Sequence, residues 1–185
     1  SSAHTLSARS AASTGTRKSS SSNPEALGTG RPVGDEVGVT ESSRVRVAVD
    51  VMGGDNGPRD IVAGALEAAG REPGGIEVVL VGDEAEIRGF LPKPDPRVAV
   101  SVVHCSEQIG MAESAPSVYR RRKDASVVVA TRLLAEHKVD AVVSAGNSGA
   151  TMTAALWHLR RLPGVSRPAI TSIMPTLKGF CVITD

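Results

Sequence analysis

Two stretches of this chain set glycines beside hydroxyl, amide and carboxylate side chains, each between an apolar run and a helix-like one. The first is Asp50-Val51-Met52-Gly53-Gly54-Asp55-Asn56-Gly57-Pro58. Its glycines permit left-handed backbone and close approach, and Pro58 is pre-set for a first helical turn. By itself it reads as a tight turn with a capping Asp, or as one wall of a ligand crevice whose loop Asp50 and Asp55 orient. The second is Ser144-Ala145-Gly146-Asn147-Ser148-Gly149-Ala150. Backbone amides at the positive end of a helix, flanked by Ser144, Asn147 and Ser148 as side-chain donors, suit phosphate or another anion. No Walker lysine follows and the spacing is not Gly-x-Gly-x-x-Gly, so neither nucleotide motif is met. An ordinary N-cap loop has the same composition.

Three further groups could do chemistry. Arg120, Arg121, Arg122 and Lys123 form a basic run. On a helix they would spread around the axis, so one or two would face an anion and the rest an acidic partner or solvent. His104 closes a β-branched run and could move a proton, or be satisfied within its loop. Cys105 beside it would point to the opposite face of a strand, which argues against a Cys–His nucleophile.

The elements that must position these residues alternate. The pattern predicts strands at Val45–Asp50, Ile76–Val81, Arg97–His104, Val139–Ser144, Ala169–Met174 and Phe180–Thr184. Between them it predicts helices at Asp60–Gly70, Glu84–Phe90, Pro116–His137 (with a break near Asp124-Ala125-Ser126) and Thr151–Leu162. Strands separated by helices imply right-handed crossovers and a parallel, doubly wound sheet, with ligands at the carboxyl ends of its strands.

Composition agrees. Phe90, Phe180, Tyr119 and Trp157 are the whole aromatic set, so the core must be Val, Ala, Leu and Ile, and base-stacking platforms for nucleic acid are not expected. A net charge of +1 gives no bulk attraction for nucleic acid or membrane. Two cysteines make no disulfide framework or metal-ligand pattern, and fit a reducing compartment. No apolar run approaches the ~20 residues of a membrane span. Residues 1–43 are Ser-, Thr- and Gly-rich and are expected to be a disordered tail preceding an α/β portion at 44–185. The first 24 residues hold Arg9, Arg17 and Lys18 but no acid, which suits a plain extension or an organellar transit peptide.

The segments DVMGGDNGP, VVHCSEQIGMAESAP, RRRKDASVVVA, DAVVSAGNSGA and PGVSRPAI resemble, in order and spacing, the N-terminal half of PlsX-type phosphate acyltransferases. The resemblance covers residues 45–185. It implies a three-layer α/β/α fold with a mostly parallel, Rossmann-like sheet, and a cytoplasmic homodimer that associates peripherally with the membrane. The implied reaction moves a fatty acyl group from acyl carrier protein to inorganic phosphate, for phospholipid synthesis, with no cofactor and no metal. On residue chemistry that agrees with this reaction, the phosphate-binding candidates are Gly53, Gly54, Asp55, Ser144, Gly146 and Gly149, with Asn147, Ser148, Lys123 and His104 as catalytic candidates. Arg120, Arg121 and Arg122 would dock the acidic carrier protein.

Two features depart from the family. Ala125-Ser126 stands where its members have two serines, and the chain stops at Asp185, where a Gly-Ala-Asn motif would follow. Three alternatives stand beside this reading. One is a phosphate acetyl- or butyryltransferase acting on a coenzyme A thioester, and another is a fragment that only binds phosphate or a partner. The last is a metal-dependent decarboxylating dehydrogenase of similar architecture, for which no carboxylate cluster can be assembled from this sequence. The tail assignment predicts that limited proteolysis trims the chain to a product beginning near Arg44. A protease-resistant segment within residues 1–40 would contradict it.

Overall fold

The computed structural model describes residues 4–7, 44–113 and 121–184. Strand β1 is His4–Ser7, β2 Val45–Asp50, β3 Ile76–Gly82, β4 Ala99–His104 and β5 Ala141–Ser144. They form one sheet in the order β1-β5-β2-β3-β4. The four strands from β2 to β5 run parallel, as the alternating pattern predicts. Helices α1 (Pro58–Arg71), α2 (Glu84–Phe90), α3 (Ser126–Ala135) and α4 (Ser148–His158) are the helical elements among the described residues.

Period-two alternation splits the β3 side chains between two cores. Val78 and Leu80 join Val49, Val51, Val62 and Ile87 beneath α1 and α2. Val79 and Val81 join Ala48, Val129, Leu134 and Val142 beneath α3. Both faces of the sheet are therefore covered, giving three α/β/α layers, and small β-branched residues suffice to fill each seam. Asp83 starts α2 by accepting from the Ala85 and Glu86 amides at 2.9 and 3.0 Å. Gly57 and Pro58 start α1 without a side-chain cap.

Three elements differ from the sequence reading. Of the long helix expected at Pro116–His137, the described residues are helical over Ser126–Ala135, starting at the anticipated break. Arg121 to Asp124 form a turn, held because Ala125 bridges Glu107 and the Ser126 amide donates to the Glu107 carbonyl. Residues 114–120, including Arg120, lie outside the described residues, as do 8–43 of the expected tail. Within that tail, His4–Ser7 is a strand, pairing antiparallel along the outer edge of β5. An edge strand offers unpaired amides and carbonyls, and four residues are enough to satisfy them.

The last two strands, β6 (Thr171–Thr176) and β7 (Gly179–Thr184), do not extend the parallel sheet. They pair antiparallel as a separate hairpin. Leu177 and Lys178 are the whole connection, too short for a crossover, so the pair can only turn back.

Leu80 is fully buried between sheet and helices. Leu80→Ala is expected to reduce unfolding free energy by about 2–5 kcal/mol, measured by urea denaturation.

Candidate functional site

From β2 the chain steps outward to β3 and β4, then crosses back to place β5 on the other side of β2. The direction of winding reverses between β2 and β5, and a crevice opens at the carboxyl ends of such a pair. Both glycine-rich turns leave from this point, because Asp50 and Ser144 end their strands in register. The turns touch. A Cβ on Gly53 would lie 2.6 Å from Asp50 Oδ2 and 2.9 Å from the Gly146 nitrogen, so no side chain fits there. Gly54 has φ of 106°, a conformation that favours glycine.

Asp50 lies beneath the contact and is 2 % exposed. Its Oδ2 accepts the Ser144 hydroxyl at 2.7 Å, and Ser144 Oγ in turn accepts the Gly146 amide at 3.1 Å. Oδ1 has no hydrogen-bond partner among the described residues. Burial pushes the Asp50 carboxyl above its ordinary value, while the hydroxyls of Ser126 and Ser144 and the amides of Gly53 and Met52 pull the other way.

This geometry alters the roles read from sequence. Ser144 is no donor to a ligand, since its one proton goes to Asp50. Asn147 is also engaged at both ends. Its Oδ1 caps α4 by accepting the Ala150 amide at 3.0 Å. Its Nδ2 donates to the carbonyls of Gly110, Met111 and Glu113 at 3.0–3.2 Å. Asn147 therefore joins the 110–113 turn to the mouth of the crevice, using the donors a ligand would need. Gly149, in the first turn of α4, has a backbone amide with no intrahelical acceptor, beside Ser148 at the first helical position. Asp55 is exposed on the other turn, next to the half-buried Gly54.

Other candidates sit apart. His104 ends β4, two strands from β2 and so ~10 Å from Asp50 at ordinary strand spacing. Its Nδ1 accepts the Glu84 amide at 3.2 Å, making it a support for the start of α2. Arg122 pairs with Glu113 at 3.3 Å and donates to the Gln108 carbonyl, tying together the loop that Asn147 holds. Arg121 and Lys123 are exposed in the same turn. Since that turn is not helical, the expected division of the run by helix face does not apply to residues 121–123.

Asp124 accepts the Ser106 amide and hydroxyl at 2.8 and 2.7 Å, which hold its carboxyl below the ordinary value. Cys105 is buried, and its thiol is pushed up to about 12 by desolvation and then by the charge of Asp124. It remains a neutral thiol near pH 7 and is no nucleophile. Among the described residues no group of three or more His, Cys, Asp or Glu is arranged to hold a metal ion. The alternative needing a metal-bound carboxylate cluster thus gains no support from them.

Asp50 carries one signal in the sequence, an acid closing a β-branched strand whose neighbours must be buried. The loop stapled by Asn147 left no comparable trace.

Two expectations follow. Gly53→Ala should destabilise the protein by about 1–3 kcal/mol through overpacking against Asp50 and Gly146, seen by chemical denaturation. Asp50→Asn removes a group whose native-state pKa is raised. The wild-type carboxyl favours folding most below its unfolded value and loses that contribution as pH rises through the native value. The stability of Asp50→Asn relative to wild type should therefore grow with pH across that window. Denaturation series at several pH values, with no trend between the two proteins, would contradict the burial of this charge.

The chain matches the model of a family described as fatty acid synthesis protein over residues 45–185. It is 43% identical over 141 residues to a phosphate acyltransferase of Desulforamulus reducens, covering 76% of this chain and 42% of that one. It is 48% identical over 136 residues to that of Nostoc punctiforme, covering 74% and 39%. With the phosphate acyltransferase of Oleidesulfovibrio alaskensis it shares 48% over 140 residues, covering 75% and 40%. The chain spans about two-fifths of the length of these relatives. The glycine turns, their order and the α/β layers all lie inside the matched region, and the chain belongs to the fatty acid synthesis protein family, the family of PlsX-type phosphate acyltransferases.

Proposed function

We propose that this chain supplies the phosphate-binding half of an enzyme that transfers a fatty acyl group from acyl carrier protein to inorganic phosphate. One observation carries the reading: the reversal of winding sets two touching glycine turns over the start of α4. Phosphate would rest on backbone amides of the first turn of α4, Gly149 among them, where the helix dipole and unsatisfied N–H groups favour an anion. A phosphate oxygen then attacks the thioester carbonyl. The carbon–sulfur bond breaks, the acyl–oxygen bond forms, and the proton of the phosphate goes to the departing thiolate. A thioester is activated already, so holding phosphate in line is the protein's main contribution and no acyl-enzyme is needed.

In this reading Ser144, Asn147 and Asp50 shape the site, while Gly53, Gly54 and Gly146 let the turns close. Lys123 and Arg121, both exposed, remain available for an acidic carrier protein. A cytoplasmic homodimer with peripheral membrane contact fits a water-soluble donor and a lipid-bound product. No helix of the described residues is long and apolar enough to cross a membrane.

The test supplies phosphate with either acyl carrier protein thioester or acyl coenzyme A to the chain and traps acyl phosphate with hydroxylamine. Phosphate binding is the expected result for the chain itself, any turnover should favour the carrier thioester, and preference for coenzyme A would replace the donor. If the chain binds phosphate yet turns over neither, it is a binding half that needs further chain. Absence of both binding and turnover would sink the reading. Replacing Cys105 with Ala should leave any activity within about threefold, and a stable acyl adduct on Cys105 would overturn direct attack.

A further inference from the structure

We infer that Asp50 is the positioning residue of the anion crevice: its buried carboxylate orients the Ser144 hydroxyl, which holds the Gly146 amide and so fixes the spacing of the two glycine turns. The inference rests on the phosphate reading for its consequence, but not for its geometry.

Four observations converge. The chain of contacts is continuous, from Asp50 Oδ2 to Ser144 Oγ at 2.7 Å and from Ser144 Oγ to the Gly146 nitrogen at 3.1 Å. Ser144 is itself 1 % exposed, so its hydroxyl answers only to protein groups. The link also ends where it matters, since Gly146 and Gly53 are in contact across the crevice with no room for a Cβ on Gly53. Finally, Asp50 Oδ1 is buried without a partner among the described residues, an arrangement that folding alone does not favour.

A hydroxyl that donates to a buried acceptor is polarised by it, and a polarised hydroxyl is a better acceptor for the next donor. The carboxylate thus stiffens the Gly146 amide at second hand. It also anchors the first turn, because the site a Gly53 Cβ would occupy is filled by Asp50 Oδ2. One side chain thereby controls both lips of the crevice. The described part of the neighbouring β4–α3 link carries Cys105, Glu107, Glu113, Arg121, Arg122, Lys123 and Asp124 as titratable groups, and the β3–α2 link Asp83. None of them reaches Ser144 or Gly146 by a hydrogen bond among the described residues.

The test uses amide NMR on this chain, titrated with inorganic phosphate and followed by hydrogen exchange. Asp50→Ala and Ser144→Ala should each weaken phosphate binding by about tenfold, the loss of one charge-assisted contact. Because both cut the same link, the double variant should be no weaker than either single one. Gly146 should lose exchange protection in all three. Asp50→Asn keeps an acceptor for the Ser144 hydroxyl and should retain binding to within about threefold. Additive losses, or Asp50→Ala with Gly146 protection and phosphate binding unchanged, would overturn the inference. If Asp50→Ala does not fold, Ser144→Ala and Asp50→Asn decide the matter by the same two readouts. If wild type shows no response to phosphate, the proposed function fails, and Gly146 exchange in the variants still supports or refutes the link.

Discussion

The hydrogen bond between Asp50 and Ser144 joins the ends of two strands that are far apart in sequence and adjacent in the sheet. Everything at the candidate site is arranged around it. The β2 and β5 turns could leave their strands at many angles, but this bond and the Gly53–Gly146 contact leave one arrangement. Glycine is required because a carboxylate occupies the space a side chain would take, rather than because of backbone sign at Gly53. Burying a carboxylate is costly, and the raised protonation tendency of Asp50 records that cost. A fold that accepts it at the junction of two glycine turns exchanges stability for geometry.

A second layer of polar bonds surrounds this junction. Asn147 caps α4 and holds the 110–113 turn, Arg122 braces the same turn through Glu113, and Asp124 ties Ser106 to the start of α3. These bonds connect the β4–α3 excursion to the start of α4. They also explain why residues chosen for their donors serve as supports: a donor near a loop is as readily used by the loop as by a ligand. What stays available for an anion is backbone at the start of α4, where side-chain chemistry leaves no mark in a sequence.

That distinction separates what the sequence made legible from what it hid. The four parallel strands were readable because β-branched runs such as Val45–Asp50 and Ile76–Gly82 have few other uses in a chain so poor in aromatics. Both glycine turns were readable for the same local reason. The start of α3 was half readable: Arg121 to Lys123 favour helix individually, whereas the pairing of Ala125 with Glu107 just before Ser126 is long-range. The strands of the β6–β7 hairpin were readable but their antiparallel pairing was not, because strand content is local and strand direction depends on the length of the connection. His104 could equally have been a proton carrier or a loop support, and only the order of the strands, which puts it on the edge, separates those uses.

The central claim is that an anion sits between the Gly53–Gly54 turn and the first turn of α4. A crystal structure of the chain grown with phosphate or vanadate tests it most directly. The account predicts a tetrahedral or trigonal anion held by backbone amides at the start of α4, with Asp50 and Ser144 still bonded beneath it. An anion bound instead among the exposed residues of the Arg121–Lys123 turn, with the crevice unaltered, would contradict it.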